Sequence, residues 1–209
     1  MSRKVYIVRH GNTFDRGDTV TRVGARTDLP LSRSGQEQAD ALAKHFSSMQ
    51  TAFSRIVTSP LKRTRQTAET IAAAQPSAPD LETAPFLREI DYGPDENQPE
   101  ADVVARIGDA ALEAWERRAV PPPGWNVDPP AIIGNWDKFF ASVAKEPVSG
   151  PVLVVTSNGV ARFALLAARQ ANPELNIEAS DLKLKTGAYG ILSIEADAKP
   201  GLLDWNIRP

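Results

Sequence analysis

Apolar, β-branched runs alternate along this chain with stretches of helical spacing, and that alternation admits few folds. The first run, Val5-Tyr6-Ile7-Val8, lies within a predicted strand Lys4–Val8 and stops at Gly11 and Asn12. A short hydrophobic run bounded by such residues reads as a buried strand. Phe53–Ser59, Thr83–Phe86 and Pro151–Thr156 are read as further strands, and Gly187–Glu195 and Leu202–Trp205 as a closing, antiparallel element. Between them, Ser34-Gly35-Gln36-Glu37 reads as a capping box ahead of Ala39, Leu42, Ala43 and Phe46. Ser59-Pro60 predicts a helix reaching about Ala74, with Ser at its cap and Pro at its first position. The spacing also predicts helices over Glu100–Arg118 and Val160–Ala171. The expected fold class is α/β, a three-layer α/β/α sandwich around a mostly parallel sheet.

The 209 residues suit a single domain, 1–209. The middle is its least regular part. Val103, Val104, Ile107, Ala111 and Trp115 form one apolar stripe, and Ile132, Ile133, Trp136, Phe139, Phe140 and Val143 another. Ala119–Pro130, with five prolines, separates them as a loop. The segment at about 94–147 is therefore expected to be an insertion that caps the sheet, where specificity would lie. Trp115, Trp125 and Trp136 are expected to pack inside it, and the acidic cluster Asp95–Asp102 to form a solvated face.

Charge and residue inventory exclude several classes of function. A net charge of −2 gives no footprint for nucleic acid or an anionic membrane, and no apolar stretch is long enough to span a bilayer. Met1–Lys4 runs into the first strand without a signal-peptide core, and there is no cysteine, so a cytoplasmic location is expected. Two histidines and no metal-like His/Asp spacing argue against a metal site. Neither a phosphate-binding P-loop nor a dinucleotide fingerprint is present, so no cofactor is expected.

The candidate site residues fall where loops leave strands or open helices, the usual place for ligands in an open α/β sheet. Arg9 and His10 follow the first strand, Arg63 lies in the first turn of a helix, Glu89 follows the third strand and Asn158 opens another helix. A guanidinium grips phosphate oxygens bidentately while an imidazole attacks or donates. His45, late in the first helix, reads as a boundary residue, and Ser157 has no base histidine to make it a nucleophile.

These residues sit in ordered blocks that resemble the histidine phosphatase superfamily, the branch with cofactor-dependent phosphoglycerate mutases and small phosphomonoesterases. The blocks are Arg9-His10-Gly11 with Thr13; Gly24–Leu31 with Ser34-Gly35; Ser59-Pro60-Leu61-Lys62-Arg63 with Thr67-Ala68; Leu87–Gly93; and Trp205-Asn206. The resemblance implies a phosphoglycerate mutase-like fold and hydrolysis of a small phosphorylated substrate without metal or cofactor. It implies that His10 attacks phosphorus to give a phosphohistidine, and that Arg9 and Arg63 clamp the oxygens. Glu89 would protonate the leaving group and then activate water, and Thr13 and the backbone near Gly11 would add hydrogen bonds. The family carries a second histidine in a Ser-His-Gly context, where this chain reads Ser157-Asn158-Gly159. Asn158 is expected to donate to phosphate through its amide or, equally, to cap its helix. The family also often places Asn where Arg16 stands. Asn12, Arg16, Arg22 and Arg26, in an Arg-rich loop, are candidates for substrate contact. Of these, Arg16 or Arg22 would restore the charge that Asn158 lacks. A non-catalytic phosphate-binding protein is the alternative, with a mutase behind it. A homodimer is left open, because the exposed part of a Trp-rich cap suits a second copy as readily as a substrate.

Overall fold

The computed structural model describes residues 2–147, 150–175, 177 and 182–209. Six strands form one sheet: β1 (Arg3–Arg9), β2 (Arg55–Thr58), β3 (Leu81–Thr83), β4 (Val152–Thr156), β5 (Tyr189–Ile194) and β6 (Pro200–Ile207). Their order is β3-β2-β4-β1-β5-β6. The first four are mutually parallel, while β5 and β6 run antiparallel to their neighbours. The central pair, β1 and β4, is held in register from Val5↔Val152 to Arg9↔Thr156.

Alternation along these two strands separates the layers, because successive side chains leave opposite faces. Tyr6, Val8, Leu153 and Val155 pack with Leu42, Phe46 and Ile71 from α1 (Arg33–Ser48) and α2 (Lys62–Ala73). Val5, Ile7, Val152 and Val154 join a second cluster on the other face. That cluster includes Trp136, Phe140, Phe163 and Leu165, carried by α5 (Pro129–Lys145) and α6 (Asn158–Ala171). The result is a sheet between two helical layers, the expected three-layer architecture.

Several local expectations give way to tertiary contacts. The long helix over Glu100–Arg118 is two, α3 (Glu100–Ile107) and α4 (Asp109–Arg118), broken where Gly108 takes φ +78° and ψ 157°. The α1 cap is Ser32, whose hydroxyl accepts from Gly35 N, rather than Ser34. Ser34 is instead inside the first turn, where Asp15 accepts from its backbone N–H at 2.9 Å. The helix expected to open at Ser59-Pro60 begins at Lys62, because Ser59 Oγ is used to accept from Leu61 N and Thr64 Oγ1. The third strand ends at Thr83, and Pro85–Leu87 turns as a short 3-10 helix. Within 94–147, α5 lies in the helical layer beside α6, while Trp115 and Glu116 of α4 face the pocket described next. Trp115, Trp125 and Trp136 are all buried. Of the expected solvated face, Glu100 and Asp102 are exposed, but Asp95 departs from it: it is buried, ion-paired to Arg106, and accepts from Trp125 Nε1 at 2.6 Å. Among the described residues no helix is long and apolar enough to cross a membrane.

Candidate active site

A pocket of about 560 Å³ opens where the parallel strands end. Arg9 and His10 at the end of β1, Glu89 beyond β3 and Asn158 beyond β4 all line it, so residues distant in sequence meet there. Asn12, Thr13 and Arg22 line it too. Arg16 and Arg26 are exposed and stand outside the lining.

His10 is 7% exposed and its ring is oriented at both nitrogens. Arg63 Nε donates to His10 Nε2 at 3.2 Å, and a guanidinium can only donate. His10 Nε2 must therefore present its lone pair, and Nδ1 carries the proton that it donates to Gly11 O at 2.6 Å. Burial pushes the imidazole pKa well below its usual 6.5, and the adjacent Arg63 and Arg9 push it further down. The ring is thus neutral at neutral pH, with the nitrogen distal to the backbone unprotonated.

Arg63 is fully buried in the first turn of α2 and has no share in the pocket lining. All three of its nitrogens donate to protein acceptors: His10, Thr27 O at 2.9 Å and Gly24 O at 3.2 Å. Arg9 Nη1 donates to Leu184 O at 2.8 Å, while its buried Nε has no partner among the described residues. Gly11 N donates to Thr67 Oγ1, and Asn12 Nδ2 to Ser34 Oγ at 3.2 Å, which ties the loop after β1 to both helices of one layer.

Glu89 is buried beneath the first turn of α6. Its Oε2 accepts from Gly159 N at 3.1 Å and its Oε1 from Ile90 N at 2.9 Å. A side chain at Gly159 would place its Cβ 2.1 Å from Glu89 Oε1, so glycine is what permits this approach. Asn158 is the first residue of α6 rather than its cap, a position that Ser157 takes. Its Oδ1 accepts from Leu184 N at 2.9 Å. That bond fixes which end of the amide is the oxygen and leaves Nδ2 as the end that can donate elsewhere.

The outer wall was not legible from the motifs. Arg22 forms an ion pair with Glu100 and stacks 5.3 Å from the Tyr92 ring and 5.1 Å from Trp125. Lys183 pairs with Glu116 at 3.2 Å. Arg26 is drawn away to Asp91 and Gly93 O. Glu96 organises the loops around it, accepting from Arg26 N, Thr27 Oγ1 and Tyr92 N. His45 reaches Tyr189 OH at 2.8 Å, remote from the pocket lining. Among the described residues no group of three or more His, Asp or Glu is placed to hold a metal ion.

A model of the histidine phosphatase superfamily (branch 1) matches residues 5–208. The chain is 40% identical over 90 residues to a protein of Proteus mirabilis named probable phosphoglycerate mutase GpmB, covering 43% of this chain and 39% of that one. A Serratia proteamaculans protein of the same name is 30% identical over 146 residues, covering 58% and 65%. The chain thus spans less than two thirds of the length of these curated relatives. Among solved structures, a mycobacterial glucosyl-3-phosphoglycerate phosphatase superposes with a TM-score of 0.78 at 21% identity, covering 99% of each chain. A phosphoserine phosphatase from Entamoeba histolytica, in complex with 3-phosphoglyceric acid, gives 0.73 at 17%, covering 98% and 97%. At such identities the likeness concerns the fold.

Proposed function

Because the chain belongs to the histidine phosphatase superfamily (branch 1), we propose that it hydrolyses phosphomonoesters through a phosphohistidine on His10. The observation that carries this reading is the state of His10: buried, neutral, and held so that Nε2 offers its lone pair. Nε2 attacks phosphorus as the P–O ester bond breaks, and the departing oxygen takes a proton from Glu89. Water then attacks the phosphohistidine, Glu89 takes its proton, and the P–N bond breaks to return neutral His10. Arg9 brings an unsatisfied guanidinium Nε to this end of the pocket. Arg63 begins with Nε on the attacking lone pair, and that N–H passes to a phosphoryl oxygen as phosphorus approaches. Asn158, taken as standing at the position of the superfamily's second histidine, donates through Nδ2. No step calls on a metal or cofactor.

Phosphate release from a panel of phosphomonoesters tests this, with the native chain beside His10→Ala and Asn158→His. The native chain is expected to turn over and His10→Ala to lose about four orders of magnitude. Turnover that survives in His10→Ala would sink the phosphohistidine. A second reading, a phosphate-binding protein without turnover, draws on Asn158, whose amide carries no charge. It would win if all three chains were silent while inorganic phosphate still bound. Phosphoryl transfer between positions of one substrate, without phosphate release, would point to a mutase.

A further inference from the structure

Arg162 lies on α6 one turn after Asn158, and it is fully buried. Its Nη1 donates to Trp115 O at 2.6 Å and its Nε to Asn158 O at 3.4 Å. The guanidinium carbon sits 4.3 Å from the centre of the Trp115 ring. Its Nη2, also buried, has no hydrogen-bond partner among the described residues, and no carboxylate pairs with it there. Glu89 and Glu116 are near enough to favour its charge, and Arg22 near enough to oppose it.

Stability does not explain such a residue. A buried cation without a bonded carboxylate is costly, and an apolar side chain of similar volume usually does as well or better. The residues it holds point to the pocket, since Trp115 and Asn158 both line it but come from different helices. The two loop arginines expected to make good the missing charge are poorly placed. Arg16 is exposed and outside the pocket, and Arg22 is offset by Glu100. Among the described residues Arg162 has no such offset by direct pairing, and it stands behind the turn that carries the amide.

We propose that Arg162 is a positioning residue of the phosphoryl site, locking the Asn158 turn to Trp115 and setting behind Asn158 the fixed positive charge its amide lacks. This rests on the phosphatase reading above. The negative charge that grows on the transferring group is stabilised by a cation already in place, with no reorganisation at the moment of reaction.

The test uses the full chain as Arg162→Met, Arg162→Lys and the double variant Asn158→His/Arg162→Met. Turnover, inhibition by orthovanadate and Tm are measured on each. Arg162→Met is expected to lower kcat about tenfold and to weaken vanadate inhibition in step, less than for a donor in direct contact. Its Tm should equal or exceed that of the native chain. Arg162→Lys should recover part of kcat, and adding Asn158→His to Arg162→Met should recover more than Asn158→His gains in the native background. Turnover that depends on His10 but is indifferent to Arg162→Met overturns this proposal alone. So does a loss of kcat and Tm together that Arg162→Lys leaves untouched, which marks a merely structural residue. A native chain with no turnover and no vanadate binding overturns the phosphatase reading and this proposal with it.

Discussion

Arg63 and Arg162 are both fully buried near the start of a helix that follows a parallel strand, on neighbouring strands β2 and β4. Arg63 spends every nitrogen on a protein acceptor, one of them the His10 ring. Arg162 makes two bonds, stacks on Trp115 and leaves Nη2 without a partner among the described residues. Equal burial thus serves different ends. The α2 side of the site is a satisfied network that fixes the His10 ring, and such networks lose most when one member is removed. The α6 side keeps unmade hydrogen bonds, which stabilise nothing until a ligand or charge arrives.

Arg63→Met should therefore behave unlike Arg162→Met. It frees the His10 lone pair from its guide and strands two carbonyls, the buried Gly24 O and the partly buried Thr27 O. We expect kcat to fall about a thousandfold and stability by about 2–4 kcal/mol. Denaturant melts of both methionine variants decide the matter. If the two arginines cost the same stability, the contrast between the two sides is wrong.

Gly159→Ala sharpens the same contrast from the α6 side. Its Cβ would meet Glu89 Oε1 at 2.1 Å, so the carboxylate must leave the N–H that now holds it. With Glu89 in its proposed role of general acid, the displacement should cost about a hundredfold in kcat. Substrates with good leaving groups need little protonation and should lose much less. An equal loss for aryl and alkyl phosphates would mean that Glu89 is not the proton donor.

The pH profile isolates the α2 side. His10 sits well below the usual imidazole pKa because of burial first and then Arg63 and Arg9. A base with a depressed pKa stays neutral as the medium is acidified, so its reactive form persists below pH 6.5. kcat/KM should not fall through His10 protonation as the medium is acidified past the ordinary imidazole value of 6.5. Arg63→Met removes one of the charges that depress the ring, and its acid limb should move up. A native limb near 6.5 would show that the ring is not as isolated as its surroundings imply.

How much of this was legible differs by region for physical reasons. Continuous apolar runs and helical spacing placed the layers, because Val5–Val8 and Val152–Val155 are buried on both faces. The motif loops brought Arg9, His10, Glu89 and Asn158 to one pocket. What escaped was set by pairs far apart in sequence. Nothing local marks Arg162 as lying on Trp115, or Asp95 as buried on Arg106 and Trp125. The wrong helix starts share a cause: hydroxyls and carboxylates compete for the same backbone donors. At Ser59 the hydroxyl is taken by Leu61 N and Thr64, and at Ser34 the role passes to Ser32 and Asp15.

Asp15 carries the smallest expected effect and tests whether the nucleophile's side is redundantly held. It is only partly buried, yet its carboxyl is pulled down to about 2, chiefly by the Ser34 hydroxyl and backbone N–H and then by Ser32 and Arg33. A carboxylate depressed in the folded state contributes stability that is present above its ordinary pKa and lost as pH falls through the folded value. Asp15→Asn should thus melt slightly below the native chain at pH 6, with the gap closing as the pH approaches about 2. Its kcat should match the native value, because the loop after β1 is also held by Asn12 on Ser34 and by Gly11 on Thr67. A clear drop in kcat would mean that His10 depends on a single surface carboxylate, and the satisfied network around Arg63 would not by itself be enough to hold it.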